Sequence, residues 1–325
     1  MDPKGVKRSF SVSYSHEEID LTNEVIEEKA VCSRLDHLSI QNYANFESIK
    51  SLLYTEKKLD DFRNPVFHED FSYYYSNSII TILSRNSELG KGAIKLEIVE
   101  STPCCKKIET YCEHQRHHFC KDEQRKCYSK RHWLTEDLIL SLEMAKTMPA
   151  IQKINPDDQE KLLKHVTLSI TMLMQCFYSS RSKHDTIVCP GDITPIKMKP
   201  KGSSPSKLEE DVFCRTMISI NRVDLSPQEY VLLKALIYSY WATPDLSEES
   251  RKILKETWNS YAKTLMDYLM IAHGQAGGAK KFAEIVSLIE TFFNYAKKHR
   301  ELYAVGKVFC RKGPPISNIM EEIMG

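Results

Sequence analysis

Glycine is scarce in this sequence, 11 residues of 325, and clear apolar–polar alternation is rare. Both shortages argue against a β-rich chain, which needs glycine in tight turns and a two-residue period along its strands. No apolar run approaches the ~20 residues that cross a bilayer. The best candidates are interrupted by Lys234 and Asp267, so no membrane association is expected. The opening MDPKGVKRSF lacks the apolar stretch of a secretory signal. A reducing interior compartment is therefore expected, with the ten cysteines as thiols or metal ligands and no disulfide framework. An excess of one charge is also missing. The 45 basic and 44 acidic residues leave +1, which offers no global attraction to nucleic acid. There is no glycine-rich phosphate loop, HExxH, GxSxG or CxxC pair, and nothing pairs a nucleophile with a base. Neither an enzyme nor a bound cofactor is expected.

Apolar residues at three- and four-residue spacing are abundant, and they predict an all-α protein. Residues 1–41 read as a variable polar tail and 42–325 as one domain. Phe46, Ile49, Leu52, Leu53, Leu59 and Phe62 share one helical face, and Asn64-Pro65 ends it. Residues 65–100 are ambiguous, and 76–83 fits helix or strand equally. Residues 101–132 form a cysteine-, histidine- and lysine-rich insertion. Thr135 is a candidate N-cap for the next helix, whose stripe is Leu138, Leu142, Ala145 and Met148. Asn155-Pro156 starts a helix to about Tyr178 that is apolar nearly all round after His165, the mark of a helix at a domain's centre. Residues 184–197 predict one small β-hairpin turning at Pro190-Gly191-Asp192. Helical pattern returns at 208–223. Ser226 and Glu229 form a capping box for a helix to about Trp241. A helix from Asp245-Leu246-Ser247 to about His273 follows, then a loop or a glycine-loosened helix start at 274–278, a long helix to about Val308, a break at Gly313-Pro314-Pro315 and a last helix at 316–324.

Four segments in this order carry a family resemblance. WLTEDLILSLEMAKTMPAIQKINPDDQEKLLKHV resembles the signature region of nuclear hormone receptor ligand-binding domains, through Ala145-Lys146, Pro149, Asp158-Gln159 and Leu162-Leu163-Lys164. FYSSRSKHDTIVCPGDITPI and SPQEYVLLKALIYSYWATPDLSEESRKILKETWNSYAKTLMDYL look like the nematode group related to hepatocyte nuclear factor 4. GAKKFAEIVSLIETFFNYAKKHREL resembles the long dimerisation helix, and IMEEIM the activation helix. SLLYTEKKLDDFRN is similar to the first domain helix. The resemblance implies a three-layer helical sandwich, a nuclear location and regulation of transcription through coregulator helices of LxxLL form. It also implies homo- or heterodimers with other nuclear receptors and a possible lipophilic ligand. Receptors of the family place a module with eight zinc-binding cysteines ahead of this domain. Only Cys32 precedes Cys104 here, so direct sequence-specific DNA binding is not expected. A second reading is a ligand-independent dimerisation module that inhibits full-length receptors.

The resemblance also assigns residues. Lys146 matches the cation and Glu322 the carboxylate that grip opposite ends of a coregulator helix, whose ends carry opposite partial charges. Gln159 and Leu163 match groove-lining positions, with Glu160 standing where an apolar residue is usual. Ile319, Met320, Ile323 and Met324 form the apolar face of the activation helix, and Glu321 is expected to face solvent. Met144, Met148, Met172, Met174, Phe177 and Phe292 lie near the family's cavity but read as core, and the ligand-binding residues stay unassigned. Cys105, Cys112, Cys120 and Cys127 with His114, His117 and His118 lack the close pairs of structural zinc motifs, so no metal site is assigned. Lys280, Lys281, Lys297, Lys298, His299 and Arg300 are expected to ring the polar side of a partner surface on the helix at 279–308.

Overall fold

The computed structural model describes residues 40–63, 77–87, 89, 132–198, 204–309 and 317–325. The cysteine-rich insertion and its candidate zinc ligands lie outside the described residues. The chain divides into two units, Met1–Tyr43 and Ala44–Gly325. Apart from the first turn of α1, the described helices belong to the second unit. They are α1 (Ile40–Arg63), α2 (Ile79–Leu83), α3 (Trp133–Ala145), α4 (Pro149–Lys153) and α5 (Pro156–Arg181). Then comes α6, which runs through Lys207–Glu210, a π-helical turn Asp211–Arg215 and Thr216–Val223. After it come α7 (Pro227–Tyr238), the helical stretch Glu248–Phe309 and a short C-terminal helix, α10 (Asn318–Met324). Gly274, at φ 73°, breaks the long stretch into α8 (248–273) and α9 (275–309). Gly278 lies so close to the backbone of Leu269 and Met270 that a Cβ there would sit 2.8 Å from it. Glycine at that position lets α9 pass directly against α8.

Several helix starts follow local capping chemistry. The Asn155 side chain accepts from the Asp158 N–H at 2.9 Å. Ser226 and Glu229 cap each other reciprocally, at 3.2 and 2.9 Å. Asp158 in turn accepts from the Ser247 hydroxyl at 2.5 Å, which ties the start of α5 to the start of α8. Burial opposes ionisation of Asp158, but hydrogen bonds from Ser247, Ser250 and Asn155 outweigh it and hold its pKa at about 2. Thr135 is not a cap. α3 begins two residues earlier at Trp133, which leaves Thr135 buried within the helix.

α5 and α7 are buried on nearly every side and form the middle of the layered all-α fold. α5 packs on α2, α3, α6, α7, the long α8–α9 stretch and α10. The hairpin expected at 184–197 shrinks to one antiparallel bridge, Cys189 with Ile193, around the predicted turn. The reason is competition. The Ile187 N–H donates to the Phe213 carbonyl at 2.9 Å, and the Val188 N–H to the Ser179 hydroxyl at 2.9 Å. Those donors are spent on α6 and α5, so no ladder extends.

Two buried polar networks pin α1. Glu56 accepts from the hydroxyls of Tyr178 and Tyr230, both at 2.9 Å, and from the Lys234 ammonium at 2.7 Å. Arg63 reaches Asp137 of α3 at 2.9 and 3.3 Å, and the Gln175 amide donates to the same carboxylate at 2.7 Å. Lys234 is fully buried, which explains how an apolar helix tolerates it: Glu56 neutralises it. Burial still lowers its pKa, against the pull of Glu56.

Candidate functional site

α10 lies across α3, α5 and the α8–α9 stretch. Ser317 caps it, its hydroxyl accepting the Met320 N–H at 3.2 Å. Ile319, Ile323 and Met324 are buried and Met320 is half-buried, so the apolar face seen in sequence is the docked face. At the far end Arg300 of α9 donates to the carbonyls of Ile323 at 2.9 Å and Lys164 at 3.2 Å. This satisfies a terminal carbonyl of a helix too short to be stable alone. Glu321, expected to face solvent, is 40% exposed in its side chain and also engaged. It accepts from the Tyr303 hydroxyl at 2.9 Å and from Lys307 at 2.8 Å, and these donors hold its carboxyl below the usual range.

Lys146 stands at the C-terminal end of α3. Its ammonium is 2.6 Å from Glu143, with the two side chains only 7% and 3% exposed. Gln159 donates its amide to the Ile154 carbonyl at 3.0 Å, at the end of α4. Lys146 and Gln159 line a cleft of about 320 Å³ together with Ile151, Gln152, Leu83 and the segment 85–87. Leu163 is fully buried, and Glu160 pairs with Lys164 at 2.6 Å. Of the residues assigned in sequence, Lys146 and Gln159 line this cleft, Leu163, Ile319, Ile323 and Met324 are buried, and Met320 and Glu322 are half-buried on α10.

Glu322 is already engaged. Its Oε2 accepts the backbone N–H of Ile79 at 2.9 Å, across 243 positions of sequence. Ile79 opens α2, a one-turn helix of sequence IITIL that packs on α3 and α5. Ile79 and Ile82 are 0% and 1% exposed, Leu83 is half-buried, and Ile80 is 47% exposed. Its inward residues thus follow the i, i+3, i+4 spacing of an amphipathic helix. The sequence pattern at 76–83 fits helix and strand equally and points to no role. The available signals are Ser78 as N-cap, whose hydroxyl accepts the Thr81 N–H at 3.2 Å, and the apolar triplet behind it.

Residues 123–309 match the family model described as the ligand-binding domain of nuclear hormone receptor. The chain belongs to this family. It is similar to nuclear hormone receptor family member nhr-136 of Caenorhabditis elegans, 24% identical over 191 residues, 57% of this chain and 44% of that protein. It is also similar to nhr-60 of the same organism, 24% identical over 200 residues, 60% of this chain and 42% of that protein. For nhr-153 the identity is 26% over 175 residues, 53% of this chain and 42% of that protein. The chain spans less than half the length of these curated relatives. Nuclear receptor ligand-binding domains are non-enzymatic modules of transcription regulators, and no helix among the described residues is long and apolar enough to cross a membrane.

Within this nuclear receptor domain several of the basic residues of α9 make contacts inside the fold. Lys281 donates to the carbonyls of Val223 and Asp224, Lys298 pairs with Asp211 at 2.7 Å, Arg300 holds α10 and His299 is buried. Four of the six basic residues thus serve the fold, and Lys280 and Lys297 remain exposed. The cavity-side residues Met144, Met172, Met174 and Phe292 are fully buried, and Phe177 stacks on Tyr230 with ring centroids 3.8 Å apart. They pack as core.

His299 carries a pH prediction. Burial, with Arg300 beside it, lowers its pKa to about 4, and its Nδ1 has no partner among the described residues. The unfolded chain takes up the proton first, near the ordinary value of 6.5. Stability is therefore complete above about pH 6.5, falls between 6.5 and 4, and levels off below, by about 3 kcal/mol for this group. Urea titrations across this window should show that loss, and His299→Gln should flatten it. An equal slope in the variant would assign the acid sensitivity to other groups.

Proposed function

We propose that this chain is a nuclear receptor-type regulator of transcription, acting in the nucleus. Its surface between α3, α5 and α10 receives a coregulator helix of LxxLL form. The observation that carries this reading is Glu322, which caps the N-terminus of an apolar one-turn helix laid on that surface. A carboxylate at that point binds the unsatisfied N–H groups and positive end of any short helix placed there. Lys146, at the opposite end of the surface, is suited to the terminal carbonyls. The specificity then comes from direction, set by the two charges, and from apolar spacing.

The test is fluorescence polarisation with a labelled LxxLL peptide against the full chain. Saturable binding is expected, lost when the peptide's leucines become alanine. No binding at peptide concentrations on the order of 1 mM, an affinity below ~4 kcal/mol, would favour the other reading, a ligand-independent dimerisation module.

A further inference from the structure

α2 has the form of the helix that the surface is proposed to receive, and it lies in that helix's seat. Its inward residues Ile79, Ile82 and Leu83 repeat the apolar spacing of LxxLL, while Ile80 points outward. Its first backbone N–H is bound by Glu322 at 2.9 Å. Its chain direction is also that of the proposed ligand. The N-terminus meets α10, and the segment 85–87 runs on beside Lys146, where the Ser87 hydroxyl donates to the Glu143 carbonyl at 3.2 Å. We infer that residues 78–84 are an internal occupant of the coregulator groove, which a coregulator helix must displace. This rests on the coregulator reading above and adds to it the regulation of the same surface.

Two features make the occupant removable. It engages half of the charge pair: Glu322 caps its first turn, but the Lys146 ammonium is turned to Glu143 at 2.6 Å. An incoming helix can recruit both charges. The occupant is also one turn long, five residues, and helices of that length do not persist without docking. Its advantage is covalent attachment, which gives a tethered segment an effective concentration of order mM. A peptide in solution then binds only the fraction of molecules whose groove is open, and its apparent affinity falls by that fraction.

The contact also couples two elements. Glu322 belongs to α10, so a docked α2 binds α10 in its docked position, alongside the Arg300, Tyr303 and Lys307 contacts. The groove can thus be complete and closed at once, with the internal segment standing in for the partner.

The experiment compares the full chain, Ile82→Asp and Ile80→Asp as a control, each titrated with a labelled LxxLL peptide. A carboxylate at the buried position 82 should undock the segment and tighten peptide binding at least tenfold. At the exposed position 80 it should change little. Hydrogen exchange on the unsubstituted chain supplies an independent readout, needed if Ile82→Asp fails to fold. Saturating peptide should expose the amides of 79–83 to exchange. Equal affinity for all three proteins, with 79–83 still protected when peptide is bound, overturns the internal occupant and leaves the coregulator reading standing. Absence of peptide binding by all three folded proteins removes both.

Discussion

Lys234→Met should lower the unfolding free energy by about 3–5 kcal/mol, the usual consequence of leaving one member of a buried ion pair without its partner. Lys234 is 0% exposed and its ammonium lies 2.7 Å from Glu56, so removing it strands a carboxylate between α1, α5 and α7. The methionine fills most of the volume, so the loss is electrostatic and not a cavity effect. Changing Glu56 to glutamine in the same chain should restore part of the loss, because the amide oxygen still accepts from a tyrosine hydroxyl and carries no charge. The measurement is urea unfolding of the two single variants and the double variant. A loss below about 1 kcal/mol for Lys234→Met, in the range of exposed pairs, would mean that water reaches Glu56.

The second large effect concerns peptide binding. With the groove opened by Ile82→Asp, Glu322→Ala should weaken an LxxLL peptide tenfold to a hundredfold, since a charge-assisted hydrogen bond contributes ~1.5–3 kcal/mol. In the unsubstituted chain the loss should be smaller, because Glu322 also holds the competing segment. Lys146→Ala should weaken binding comparably and cost some stability as well, since Glu143 beside it is 3% exposed. Glu321→Ala should reduce binding only a few-fold. Its contacts to Tyr303 and Lys307 hold α10 and are partly exposed, in the range where ion pairs contribute little. Equal losses from Glu321 and Glu322 would assign both to α10 docking and leave no role for a direct contact with the peptide.

Legibility in the sequence follows interaction range. Asn155 and the Ser226–Glu229 box act over three residues, and both mark their helix starts in sequence and structure alike. The all-round apolar character of α5 identifies the central helix from sequence alone. The 184–197 hairpin is shorter than its turn signal implies because its would-be ladder donors bond to Phe213 and Ser179, partners that no turn signal encodes. The contacts of the basic residues on α9 are likewise not written in the sequence: Lys281, Lys298 and Arg300 find acceptors on other elements. The ends of the proposed groove, Lys146 and Glu322, are assigned in the sequence through the family pattern. The proposed occupant is not. A five-residue, mostly apolar stretch fits helix and strand alike, and its partner Glu322 is 243 residues away.

The groove itself can be located by photo-crosslinking. An LxxLL peptide carrying a photoreactive side chain beside its first leucine, bound to the Ile82→Asp chain, should crosslink to α10 near Glu322. The same group placed after the last leucine should crosslink near Lys146 and Gln159. Crosslinks in that order along the surface are the predicted result. Crosslinks that fall on α8 or α9, or that show no dependence on the position of the reactive group, would contradict a directional coregulator groove between α3, α5 and α10.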